Sequence, residues 1–132
     1  MNTRDIAGLF KEKGLKATPQ RIAVYSFLLQ NHIHPDVDTV YRSMKKDNPS
    51  FSKTTVYNCL QALADCGLLI PVRIDSDKIR YDADTDFHGH FRCEKCGRIF
   101  DFKCSEEKAT GIDGFKINHK DVYYSGICNC CK

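Results

Sequence analysis

The chain has 132 residues, 42% of them hydrophobic and 11% aromatic, enough for one ordinary domain or two small ones. No apolar run approaches the roughly 18 residues of a membrane span, and Met1–Asp5 leads into no apolar export segment, which argues against a membrane or secreted protein. The eight cysteines therefore point to metal binding in a reducing cytoplasm, not to a disulfide framework. The net charge of +3 is uneven: residues 1–74 hold ten Lys/Arg against six Asp/Glu (+4), and residues 75–132 hold ten against eleven (−1). The first half is the candidate nucleic-acid half.

In chain order, the first 70 residues read as helices. Thr3 can cap a helix that buries Ile6, Leu9 and Phe10 and ends near Gly14. Thr18-Pro19 is a second start, an N-cap followed by proline at the first helical position. Its broad apolar set, Ile22, Val24, Tyr25, Phe27, Leu28 and Leu29, suits a central helix. A third helix follows Asp36 or Asp38, with Val37, Val40, Tyr41 and Met44 on one face. Ser52 caps a fourth, striped by Val56, Leu60 and Leu63 and ended by Gly67. The period then changes. Leu68–Ile74 and Ile79–Asp82 flank the turn Asp75-Ser76-Asp77-Lys78 and predict a hairpin. Helices followed by a hairpin are the layout of a winged helix-turn-helix domain.

Residues 83–87 read as a short acidic linker between domains at 1–82 and 88–132. Beyond it, the pattern predicts strands around Phe87–Arg92, Ile99–Phe102 and Val122–Ile127, with a helix near Ser105–Thr110. The expected class is α+β: a winged-helix domain, then a small α/β domain.

Three groups carry chemistry. Cys93-Glu-Lys-Cys96 and Cys128-Asn-Cys-Cys131 are two C-x-x-C knuckles with 31 residues between them, the spacing of a tetrahedral structural zinc site. A redox dithiol needs one such motif at a helix start, so two favour a metal. Cys130 could compete with Cys131, but the two-residue spacer makes the better knuckle. Cys59 and Cys66 read as packing thiols, Cys104 as idle and His119 as a surface residue. The second group is Asp82, His88, His90 and Asp101, with His34 far upstream. His88-Gly-His90 projects two imidazoles to one side of a strand. Such a mixed nitrogen and oxygen set suits Fe²⁺, Mn²⁺ or Zn²⁺, although spacing alone does not bring His34 or Asp82 to it. The third group is the exposed face of the fourth helix, with Lys53, Thr54, Thr55, Asn58 and Gln61, Tyr57 beside it and Ser52 at its cap as a further DNA-contact candidate. A hydroxyl-rich N-terminus favours phosphate and Asn can read adenine, while Lys16, Arg21 and Arg73 could grip the backbone nearby.

The motifs Thr18-Pro-Gln-Arg21, His34-Pro35, Thr54-Thr-Val-Tyr57, His88–Gly97 and Cys128–Cys131 run in order over almost the whole chain. With them the sequence resembles the ferric uptake regulator (Fur) family of metal-dependent repressors, and is most similar to its peroxide-sensing (PerR) branch. The resemblance implies a DNA-binding domain, a C-terminal dimerisation domain, and a homodimer on palindromic operator DNA. It implies structural zinc on Cys93, Cys96, Cys128 and Cys131, and Fe²⁺ or Mn²⁺ on His34, Asp82, His88, His90 and Asp101. Peroxide would act by oxidising His34 or His88. Asp82 and Asp101 stand where iron-uptake regulators usually have glutamates, and Asn58 where they commonly have arginine. A further metal site of some relatives falls on Phe87 and Gly89 here and is expected to be absent. Cys130 and a short N-terminal segment depart from the pattern. The alternatives are an iron- or zinc-responsive repressor without peroxide sensing, a two-His-one-carboxylate oxygenase, or a plain zinc-ribbon module. The oxygenase finds no support in a substrate pocket or nucleophile motif, so the chain is expected not to be an enzyme. No membrane partner is expected, nor any small molecule beyond metal and peroxide.

Overall fold

Helix boundaries follow the capping chemistry of the sequence. In the computed structural model, which describes residues 1–105 and 109–132, α1 spans Thr3–Glu12. Its N-cap is Asn2, not Thr3. The Asn2 side chain accepts from the Asp5 amide at 2.9 Å and Asp5 reaches back to the Asn2 amide at 3.3 Å, a capping box that Thr3 is one residue too late to make. The helix α2 (Pro19–Gln30) starts on Thr18 with proline in its first turn. The third, α3 (Val37–Asp47), starts on Asp36, whose carboxylate accepts from the Thr39 amide at 2.9 Å. Ser52 caps α4 (Lys53–Asp65) through the Thr55 amide at 3.0 Å.

The chain divides into two compact units, Met1–Thr85 and Asp86–Lys132. In the first, α4 buries Val56, Cys59, Leu60 and Leu63 against α2 and α3. Ile6, Phe10, Val24, Leu28, Val40, Leu69 and Tyr81 belong to the same core. Each fully buried aliphatic or aromatic side chain here contributes about 1.5–3 kcal/mol relative to exposure. After α4, Gly67 turns the chain with φ +86°, and the amides of Leu68 and Leu69 both return to the Leu63 carbonyl. Those two leucines are thus part of the helix stop. The hairpin begins later than predicted, with β1 at Ile70–Val72 pairing antiparallel with β2 at Arg80–Asp82.

The second unit is a three-stranded sheet in which β3 (Gly89–Cys93) lies between β4 (Ile99–Phe102), antiparallel, and β5 (Tyr123–Gly126), parallel. Gly89 faces Phe102 across the ladder. A Cβ there would sit 2.2 Å from the Phe102 ring, which itself stacks on Tyr124 at 4.6 Å, so any side chain at 89 would have to displace that ring. The predicted helix near Ser105–Thr110 has its middle, 106–108, outside the described residues; Ser105 and Thr110 themselves are not helical.

Candidate metal centres and nucleic-acid interface

The two cysteine knuckles converge within the second unit. The sulfurs of Cys93, Cys96, Cys128 and Cys131 all lie within 4.8 Å of one another. Four thiolates at about 2.3 Å from a tetrahedral Zn²⁺ stand about 3.8 Å apart, and Cys96 Sγ lies 3.9 Å from Cys128 Sγ. Gly97, at φ +75°, lets its amide reach the Cys93 carbonyl at 2.9 Å and closes the first knuckle. The amides of Cys96 and Cys128 both donate to Cys93 Sγ at 3.4 Å. These bonds, led by that of Cys128, bring the Cys93 thiol down to about 5, against the effect of burial. Cys96 is held low by hydrogen bonds from Arg98. Cys131 moves the other way, up to about 12, because its hydrogen bond to Cys128 and its burial favour the protonated thiol. A divalent ion held at this sulfur spacing would displace the remaining thiol protons. The donor set therefore fits zinc. Cys130 stands outside the group, exposed, with its thiol directed to Asn129 Oδ1. Arg98 reaches the sulfurs of Cys96, Cys128 and Cys130 and lies over the Phe100 ring, 5.1 Å from its centroid.

The nitrogen and oxygen donors assemble separately in each unit. In the first, His34 Nε2 lies 3.4 Å from Asp82 Oδ2, both side chains only 6% exposed. The Asp84 amide holds the other Asp82 oxygen at 2.9 Å and so fixes the carboxylate's rotation. In the second, His88 and His90 rings lie 4.5 Å apart, and both Nε2 atoms stand 3.5 Å from Asp101 Oδ1. His88 Nδ1 contacts the Asp86 carbonyl at 2.6 Å. A carbonyl can only accept, so that nitrogen carries the proton, and in the neutral imidazole Nε2 is then the free donor for a metal. Donors bound to one ion at about 2.1 Å stand about 3.0–3.4 Å apart, so the spacing within each group, 3.4 Å in the first unit and 3.5 Å in the second, is close to that of ligands on a divalent cation. His88 precedes β3 and is not part of it, and its ring is turned by the Asp86 carbonyl instead of by strand geometry.

On α4, Lys53, Thr54, Tyr57 and Asn58 are exposed, as are Lys16 and Arg73 elsewhere in the first unit. Several of the expected DNA-contact residues also hold the fold. Ser52 and Thr55 bond each other at 2.8 Å in the cap, Arg21 donates to the Lys16 carbonyl at 2.9 Å, and Lys53 pairs with Asp38. Sequence reading missed Arg80 and gave Asp75 only a turn role. The structure joins them as a bidentate pair, Nε to Oδ2 at 2.6 Å and Nη2 to Oδ1 at 3.4 Å, and the only sequence signal was an arginine two residues before Asp82. Among the described residues, no helix is long and apolar enough to cross a membrane.

The ferric uptake regulator family model matches residues 12–125. The peroxide-responsive repressor PerR of Staphylococcus saprophyticus is 32% identical over 127 residues, covering 92% of this chain and 86% of that protein. PerR from Streptococcus pyogenes, whose structure was described as a basis for peroxide sensing and gene regulation, is 31% identical with a TM-score of 0.56, over 98% of this chain and 92% of that one. The Helicobacter pylori ferric uptake regulator Fur shares the fold at a TM-score of 0.74 and 22% identity, over 97% of this chain and 89% of that one. The chain belongs to the ferric uptake regulator family.

Proposed function

We propose that the protein is a metal-dependent transcriptional repressor that binds palindromic operator DNA as a homodimer and releases it on exposure to peroxide. The observation that carries this reading is the division of the oxygen and nitrogen donors, His34 with Asp82 in one unit and His88 and His90 with Asp101 in the other. A single Fe²⁺ or Mn²⁺ taken up by both sets ties the two units together. The Cys93, Cys96, Cys128 and Cys131 thiolates hold a separate zinc that keeps the second unit folded.

In this reading residues 1–82 contact DNA, 83–87 are the hinge, and 88–132 dimerise. The exposed face of α4 enters the major groove, with Asn58 and Thr54 toward base edges and Lys16, Lys53, Tyr57 and Arg73 toward phosphates. Ser52, Thr55 and Arg21 serve DNA mainly by holding the helix N-terminus and its approach. Fixing the hinge sets the spacing of two such helices in a dimer, and a coupling of about 1–3 kcal/mol is enough to switch occupancy. His34, Asp82, His88, His90 and Asp101 would hold the iron, and Fe²⁺ there would supply the reducing electron that cleaves peroxide beside the imidazoles. An oxidised His34 or His88 no longer offers its Nε2 lone pair, and the hinge is freed. The reading assigns regulation, not turnover. It is supported by kinship with peroxide-responsive repressors and by aspartates at positions 82 and 101.

The test is operator binding by zinc-only protein titrated with Mn²⁺ or Fe²⁺ and then challenged with peroxide. Binding should require the second metal, be lost with peroxide only in the iron form, and be absent in His88→Ala. Metal-dependent binding that peroxide leaves intact in the iron form would make this an iron- or manganese-responsive repressor instead. Metal-independent binding would overturn the reading.

A further inference from the structure

His34 is the one non-glycine residue described with a positive φ, +53°. An imidazole-bearing residue stays in that region only where its surroundings hold it. What holds it is β2, residue by residue. Arg80 Nη1 donates to the His34 carbonyl at 3.3 Å. The Tyr81 amide donates to the Pro35 carbonyl at 3.0 Å. Asp82 meets the His34 ring at 3.4 Å, and Asp36 forms a lone antiparallel bridge with Arg80. Asp36 in turn caps α3.

The same guanidinium is gripped from the other side by Asp75, at the turn of the β1–β2 hairpin. The Asp75 side chain is 3% exposed and that of Arg80 15%. A bidentate pair at this depth fixes geometry more than it adds stability. Arg80 therefore has one hand on the hairpin turn and one on the loop that presents His34.

We propose that Asp75 and Arg80 are positioning residues for the regulatory metal, holding the His34 loop and the hairpin turn as one body so that metal capture and wing placement are a single event. This rests on the reading of His34 and Asp82 as ligands. Neither residue touches the ion. They set the carbonyl, and through the strained backbone the imidazole, of a residue that does. A ligand held in place before binding loses less freedom on binding, so loosening it weakens the metal without removing a donor.

The experiment uses zinc-loaded full-length protein titrated with Co²⁺, whose visible ligand-field bands report the donor set. Arg80→Met and the near-isosteric Asp75→Asn should each weaken Co²⁺ about tenfold or more and alter the bands, with zinc content unchanged and the zinc-loaded, Co²⁺-free protein still folded although less stable. Arg80→Lys should recover part of the loss. In a His34→Ala background the same changes should have no further effect on Co²⁺ affinity, because the group being positioned is gone. The proton and nitrogen signals of the His34 ring in zinc-loaded, Co²⁺-free protein should move in Arg80→Met while those of His88 and His90 stay. Wild-type Co²⁺ affinity in both variants, or an equal loss in the His34→Ala background, would overturn the proposal. Should wild-type protein take up no second metal, the functional reading fails on its own, and unmoved His34 signals in Arg80→Met overturn the positioning role separately.

Discussion

The two units of this chain are held together by different physics. Met1–Thr85 buries a contiguous aliphatic and aromatic core from four helices and a hairpin. Among the described residues of Asp86–Lys132, the buried hydrophobic side chains are Cys93 and Cys128, while Phe87, Phe115, Ile117, Tyr124 and Ile127 stay exposed. A unit that small with so little core needs a staple, and the staple is the thiolate cluster. Its exposed apolar side chains also fit the proposed role of this unit in dimerisation. The first unit can stand alone on packing, whereas the second depends on a metal.

That contrast can be broken experimentally, and the largest effect should come from the thiolates. Cys93→Ser, or exhaustive chelation, should unfold the second unit and abolish the dimer while the first unit keeps its helical signal. Apparent zinc-binding energies of about 10–16 kcal/mol make this close to all-or-none. Native mass spectrometry and sedimentation would show it, and a zinc-free dimer with an intact β5 would refute the contrast.

Leu60→Ala makes the opposite cut. Leu60 is fully buried in the helical core, so about 2–5 kcal/mol should be lost from the first unit with zinc still bound. Urea melts read by helical circular dichroism measure the loss, and zinc content shows whether the units are independent.

Gly89→Ala should cost about 1–3 kcal/mol through forced displacement of the Phe102 ring. The effect should be confined to the second unit, visible as loss of the Phe102–Tyr124 ring contact by NMR. A neutral substitution would mean that the ring can step aside freely.

The smallest effect should be at Asp36. Burial opposes its ionisation, but the Thr39 amide and hydroxyl and the charges of Lys78 and Arg80 outweigh it and hold the carboxyl below its ordinary value of 3.8. Its contribution is thus present above the unfolded-state value and lost as pH falls through the lower folded-state one. Asp36→Ala should cost about 1 kcal/mol at neutral pH, and the gap to wild type should shrink below about pH 4. A constant gap across that range would show that the carboxylate charge is not what matters.

Much of this was legible in the sequence, and the limits were physical. Thr18, Asp36 and Ser52 announced three helix starts because capping is local. Asn2 was missed although Asp5 stands three residues on, because Thr3 satisfies the same preference without the return bond from Asp5. The cysteine knuckles were readable because two sulfurs three residues apart are already neighbours. The approach of His34 to Asp82, the hold of Arg80 on both sides and the parallel pairing of β3 with β5 join residues far apart in the chain, and no periodicity encodes that. Resemblance suggested the proposed ligand set, and the structure shows the contacts around His34 on which its proposed positioning rests.

The claim at the centre of this account is that one ion is shared by donors from both units. The direct measurement is Mn²⁺ binding to zinc-loaded protein by equilibrium dialysis with electron paramagnetic resonance. It should give one tight Mn²⁺ per chain, with His34→Ala and His90→Ala each weakening it roughly 100-fold, at or beyond the upper end of what losing even an outer-shell partner costs. Wild-type affinity in either variant, or two independent weak sites per chain, would contradict the account.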